Sequence, residues 1–136
     1  RRLHGARETS MGTIEMSSAN FEQTIEDNDI VLVDFWASWC GPCRRFAPTF
    51  EKAAEDNPDI AFAKVNTEEA RELAGSFGIR SIPTLAVFRE KVLVFMQPGA
   101  LPASALGDLI TQVRGLDMED VRRQIAEHAQ QQTAEA

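Results

Sequence analysis

Hydrophobic and polar positions change period several times along the chain, and each change predicts an element. Thr13 to Met16 form a short apolar alternation, after which Ser17 or Ser18 is placed to cap a helix carrying Phe21 and Ile25 on one face and ending near Asn28. Ile30-Val31-Leu32-Val33-Asp34-Phe35-Trp36 is an almost unbroken apolar, β-branched run. That pattern predicts a strand covered on both faces, and here the central one. From Cys40 the period becomes helical, with Phe46, Phe50, Ala53 and Ala54 on one stripe, Pro48 expected to kink the helix, and Asn57-Pro58 closing it. Ile60 to Asn66 reads as another strand, and Ala70, Leu73, Ala74 and Phe77 as a short helix stopped by Gly78.

Thr84 to Phe88 and Val92 to Phe95 read as strands whose short connection makes them antiparallel neighbours. Pro102 then opens a helix with Leu106, Leu109, Ile110 and Val113. Strands alternating with helices, then a hairpin and a last helix, predict an α/β fold: a central mixed sheet flanked by helices. Beyond Gly115, Asp117 is placed to cap an extra C-terminal helix with Met118, Val121 and Ile125 on one side, either a packing appendage or a docking helix. The organisation expected is a lead-in or tag over 1–12, one domain over 13–115, and a helical extension over 116–136 whose end from Gln130 is disordered.

Composition narrows the function. A chain of 136 residues fits one domain, and no apolar run approaches the ~20 residues that a membrane-spanning helix needs. A formal net charge of −7 argues against nucleic acid as the main ligand, because phosphate binding needs a basic face. The basic start, Arg1 to Arg7, lacks the apolar stretch of a secretory signal, so a cytoplasmic location is expected, with Met11 or Met16 as candidate native starts. Only two cysteines occur, three positions apart, which excludes a multiply bridged scaffold and points to redox chemistry or half a metal site.

Trp39-Cys40-Gly41-Pro42-Cys43 lies where the buried strand hands over to a helix. Unpaired N–H groups and the positive helix end favour a thiolate at that point, lowering a cysteine pKa from about 8.5. Cys40 is therefore the candidate nucleophile. Cys43, one turn on, can attack a mixed disulfide formed on Cys40 and is the candidate resolving thiol. Pro42 suits a first helical turn, and Gly41 lets another polypeptide approach the sulfur. A zinc site would need further ligands, yet the only histidines are His4 and His128 in the tails, and no metal is expected. A purely structural disulfide across so short a loop would constrain the unfolded chain little.

Asp34 is a carboxylate inside an apolar strand, which is costly without a partner or a task. Burial would raise its pKa toward neutrality, and its position six residues before Cys40 suits a general base for Cys43. The plainer reading is a satisfied buried carboxylate. Lys64, in the next strand, is a candidate partner for its charge or simply a solvated lysine. Trp39 reads as a partly exposed wall of a substrate surface and Trp36 as mainly structural.

Val33-Asp34-Phe35-Trp36-Ala37-Ser38-Trp39-Cys40-Gly41-Pro42-Cys43 closely resembles the active-site signature of the thioredoxin family, and Ile79-Arg80-Ser81-Ile82-Pro83-Thr84 resembles its second signature. The likeness spans about Thr13 to Arg114, including Ala63-Lys64-Val65-Asn66 and Gly99-Ala100, and leaves out the tail. It implies the thioredoxin fold, a cis Pro83 facing the cysteines where substrate backbone docks, and a buried Asp34–Lys64 pair assisting Cys43. Trp39, Gly41, Pro42, Ile82 and Gly99 would line the docking surface. Two departures stand out: Arg44 where many members carry lysine, and the connector Arg89-Glu90-Lys91, which lacks the Asn-Gly type of turn that tight hairpins prefer.

The resemblance further implies a protein-disulfide reductase without bound metal or organic cofactor, receiving electrons from NADPH through a thioredoxin reductase. The partners expected are that reductase and disulfide-containing client proteins, with neither nucleic acid nor membrane, and the chain itself a monomer. A disulfide oxidase or isomerase on the same fold is the first rival reading, and Gly41-Pro42 speaks against it. A binding subunit that uses the same surface without turnover is the second.

Overall fold

The computed structural model of the chain describes residues 7–8 and 12–135. In chain order the elements are β1 (Arg7–Glu8), β2 (Ile14–Glu15), α1 (Phe21–Asp27), β3 (Ile30–Trp36), α2 (Gly41–Asp56), β4 (Ala61–Asn66), α3 (Arg71–Ser76), β5 (Thr84–Arg89), β6 (Val92–Pro98), α4 (Ala103–Arg114) and α5 (Met118–Glu135). The strands form one sheet in the order β1-β2-β4-β3-β5-β6. β2, β4 and β3 run parallel, whereas β5 and β6 continue the sheet antiparallel, so it is mixed as the pattern predicts.

β3 has neighbours on both sides and helices on both faces, which is why its sequence is apolar at nearly every position. Its alternate side chains serve two cores. Val31, Val33 and Phe35 join Ile25 of α1 and Leu73 and Ala74 of α3, with Phe21 and Phe77 packed alongside. Leu32 faces the other way, toward Phe46, Phe50 and Ala54 of α2 and Leu106, Ile110 and Val113 of α4. Phe50 has no exposed surface and packs tilted against Phe46 and edge-to-face against Phe62, which seats α2 on the sheet. α2 continues without a break across Pro48, although proline has no N–H to offer the carbonyl one turn back.

Several boundaries differ from the sequence reading for identifiable reasons. α1 is not capped by Ser17 or Ser18: Asn20 occupies the cap position, and its side chain turns back to accept from the Ser17 N–H and donate to the Glu15 carbonyl, closing the turn after β2. The connector of the β5–β6 hairpin is the pair Glu90 and Lys91, both left-handed at φ 51° and 71°. That is the geometry which matches sheet twist, adopted here without glycine. Glu90 N–H donating to the Asp29 carbonyl at 2.8 Å ties the turn down. Within the expected lead-in, Arg7–Glu8 pairs antiparallel with Ile14–Glu15 as a short edge strand, and positions 1–6 and 9–11 lie outside the described residues.

At the far end, Asp117 accepts the Asp120 N–H and caps α5, as its position suggests, and the helix runs on to Glu135 through the segment expected to be disordered. Met118 is buried, whereas most of α5 beyond it is exposed. Arg89 holds the junction: its guanidinium donates to the carbonyls of Val113, Arg114 and Leu116 at the end of α4. Arg89 pairs with Ile30, at the start of β3, while the cysteines follow the other end of that strand. The extension is thus anchored at the opposite end of the sheet from the cysteine pair. Among the described residues no helix is long and apolar enough to cross a membrane.

Candidate active site at Cys40 and Cys43

Strand β3 delivers the chain to Trp36, the Thr67 N–H and hydroxyl both donate to the Trp36 carbonyl, and four residues on Cys40 occupies the N-cap position of α2. Cys40 and Cys43 are joined as a disulfide with their Cα atoms 5.2 Å apart. The Cys43 N–H donates to Cys40 Sγ at 3.1 Å, so an otherwise unpaired amide of the helix start points at that sulfur. Negative charge on Cys40 after the disulfide opens is stabilised by the same amide and by the helix dipole. Cys40 is 4% exposed and Cys43 2%, so attack on either requires a partner that fits closely against the surface.

That surface is assembled from distant segments. The Ile82–Pro83 peptide bond is cis, and the Ile82 carbonyl oxygen lies 3.7 Å from Cys40 Sγ. The Pro83 carbonyl accepts the Gly99 N–H at 2.8 Å, with Gly99 at φ 107°, a conformation open to glycine. These contacts set Ile82 against Cys40 and tie Gly99 to the adjacent Pro83, while Gly41 is half-buried and Pro42 exposed. Trp39 is 65% exposed, an open apolar face, and its indole N–H reaches Glu68 Oε2 at 3.4 Å. A cleft of about 340 Å³ runs from Trp39 past Glu68 and Arg71 to Ile79, Arg80 and Ile82. Clefts of similar volume lie elsewhere; this one is set apart by its lining, since Trp39 precedes Cys40 in the chain and the Ile82 carbonyl approaches the Cys40 sulfur.

Asp34 is buried to 1% and neither carboxylate oxygen has a hydrogen-bond partner within the protein. By the two-residue alternation of β3 it faces the side of α2, the helix whose first turn holds Cys43. Burial drives its pKa from the ordinary 3.8 up to about 7, with the nearby Lys64 opposing and Glu51 adding to the rise. A carboxyl with that proton affinity can both take and return a proton near neutral pH.

Lys64 is the register partner of Asp34 in the parallel β3–β4 ladder, yet the two do not close into the ion pair that the resemblance implies. The Lys64 ammonium lies 3.8 Å from Glu51 on α2 and 4.8 Å from the centroid of the Trp36 ring. Both positions are less deeply buried than Asp34, so the ammonium keeps more of its hydration there. Glu51 is the residue the sequence reading missed. Its only signal was its place two helical turns after Cys43, and the partner across the fold was not visible. Among the described residues no cluster of three or more His, Cys, Asp or Glu side chains is arranged to hold a metal ion.

Comparison with known proteins agrees with this geometry. The sequence model of the thioredoxin family matches residues 12–112. The chain is 59% identical over 119 residues to a protein named putative thioredoxin 2 from Streptomyces coelicolor, covering 88% of this chain and 89% of that one. It is 44% identical over 103 residues to a thioredoxin from Alicyclobacillus acidocaldarius, covering 72% of this chain and 98% of the relative. Among solved structures, a mutant thioredoxin from Halobacterium salinarum superposes with a TM-score of 0.72 at 34% identity, over 81% of this chain and 97% of that one. With a redox-active pair at the start of α2 and the fold that presents it, the chain belongs to the thioredoxin family and is a thiol-disulfide oxidoreductase of the protein-disulfide reductase type.

Proposed function

We propose that the chain works as a reductant of client proteins, with Cys40 attacking and Cys43 resolving. In the reduced form the Cys40 thiolate attacks one sulfur of a client disulfide; the client S–S bond breaks and its other sulfur leaves as a thiolate that picks up a proton. Cys43 then gives its proton to Asp34 and attacks Cys40 Sγ. The mixed disulfide breaks, the second client thiol is released, and two electrons have moved from the cysteine pair to the client. The observation that carries the assignment is the Cys43 N–H aimed at Cys40 Sγ at the helix start, which favours charge on Cys40 and not on Cys43.

Client backbone would dock in extended form beside Pro83, against the exposed Trp39 face, with Gly41, Pro42, Ile82 and Gly99 completing the surface. The pair is re-reduced by a flavoprotein thioredoxin reductase drawing on NADPH, and the chain itself carries no bound cofactor. We place the protein in the cytoplasm, acting as a monomer. The test is NADPH-driven reduction of insulin disulfides with a bacterial thioredoxin reductase, comparing the intact chain with Cys40→Ser. Turnover in the intact chain that Cys40→Ser abolishes is the expected result. Failure of the intact chain, together with a reduction potential above about −200 mV, would assign an oxidising role instead.

A further inference from the structure

Three groups compete for one cation in this structure. The Lys64 ammonium can be drawn to Asp34, its register partner across the β3–β4 ladder, to the face of Trp36, or to Glu51. The position it takes is 3.8 Å from Glu51 and over the indole. Asp34, the most deeply buried of the competitors, is left without a hydrogen bond. We infer that Glu51 is a positioning residue for the resolving step: it holds Lys64 away from Asp34, so that Asp34 stays available to exchange a proton with Cys43.

The reasoning is electrostatic. At the partly buried positions of Lys64 and Glu51, with side chains 14% and 23% exposed, a unit charge displaced by a few Å changes the potential at a buried neighbour substantially. If Lys64 closed on Asp34, the carboxylate would be held ionised as a permanent ion-pair partner and would be a weaker base toward a thiol. Glu51 prevents this in two ways. Its negative charge acts on Asp34 directly, and it fixes the ammonium in a second site where Trp36 adds a favourable face. The charged groups felt at Asp34 are Lys64 from β4 and Glu51 from α2; its partner on β5 is the apolar Leu85, and the reduced protein adds the Cys43 thiol from α2. The proposal rests on the reading of Asp34 as proton acceptor for Cys43.

The oxidised full chain allows the first measurement, because no thiol then titrates beside Asp34. Carbon-13 NMR of labelled aspartates should show the Asp34 midpoint in Glu51→Gln falling by about half a pH unit or more, while Glu51→Asp keeps the parent's value. The kinetic counterpart uses the reduced chain mixed with dithiobisnitrobenzoate, whose second released thionitrobenzoate reports attack by Cys43. Its rise with pH should move to lower pH by the same amount in Glu51→Gln. In a Lys64→Met background the added Glu51→Gln should shift the midpoint less than half as far, since there is no cation left to hold. An unmoved midpoint, or an undiminished shift in that background, overturns the role of Glu51. If Asp34→Asn leaves the second release unchanged, the proton-acceptor reading beneath the proposal falls, and the two failures are thereby told apart.

Discussion

Replacing Asp34 by alanine should make the protein more stable as the pH rises relative to its parent, and the size follows from the burial of one carboxyl. The group protonates at about 7 in the folded chain and at the ordinary 3.8 when unfolded. Between those values the folded state binds the proton that the unfolded state has lost, so parent stability falls with increasing pH across this window. The stabilising contribution of the neutral carboxyl is fully present below the unfolded value and lost once the folded value is passed. A rise of about three pH units at about 1.36 kcal/mol each makes the total about 4 kcal/mol. Denaturant unfolding of the oxidised parent and Asp34→Ala, followed by the fluorescence of Trp36 and Trp39, should be run at intervals from pH 4 to pH 8. Contributions from carboxylates remote from Asp34 are common to both proteins and cancel in the difference. The gap between variant and parent should widen by about 4 kcal/mol toward pH 8. Stability curves that stay parallel would refute the claim that Asp34 is buried without compensating partners, and with it the physical basis for its proton transfer.

Phe50→Ala should cost about 3–5 kcal/mol in the same unfolding assay, because a fully buried ring between Phe46 and Phe62 is removed; a loss under about 1 kcal/mol would mean that the core around α2 collapses to fill the space. Ending the chain after Gly115 removes the buried Met118 and should cost about 2 kcal/mol, while reduction of a small disulfide protein stays intact because α5 is anchored away from the cysteines. A large loss of turnover in that truncation, measured with stability still adequate, would contradict this placement. Lys91→Gly should raise stability by about 0.5–1 kcal/mol by relieving an exposed left-handed residue in the hairpin, and a lowered unfolding midpoint would show that the turn is not strained there.

Much of the site was legible along the chain because its parts are close in sequence. Cys40, Gly41, Pro42 and Cys43 lie within one helical turn, and the strand-to-helix handover is visible where an almost unbroken apolar run gives way to a 3.6-residue period. Asp34 stood out for the same local reason, a charge where every neighbour in the strand is apolar. The mixed sheet followed from the spacing of strands and helices, since a helix-length connection permits parallel pairing and a two-residue connection does not.

The tertiary structure decided what depends on residues far apart in sequence. Ile82 comes to lie 3.7 Å from Cys40 only because β5 pairs antiparallel with β3, and the Gly99 N–H reaches Pro83 only because β6 returns along β5. Even the start of α1 was not fixed by capping propensity alone: Asn20 stands at the cap position, and its side chain bonds back to Ser17 and Glu15 instead of to the first turn of the helix. The allegiance of Lys64 is the same kind of decision. Sequence put a cation and a carboxylate in successive strands; that they stand level in the β3–β4 ladder, and which carboxylate the ammonium meets, depend on strand register, on how α2 lies across the sheet and on how much hydration each position leaves. Periodicity records which side of an element is buried; it carries no information about which distant charge shares that side, because electrostatic partners are chosen by distance in space and by desolvation.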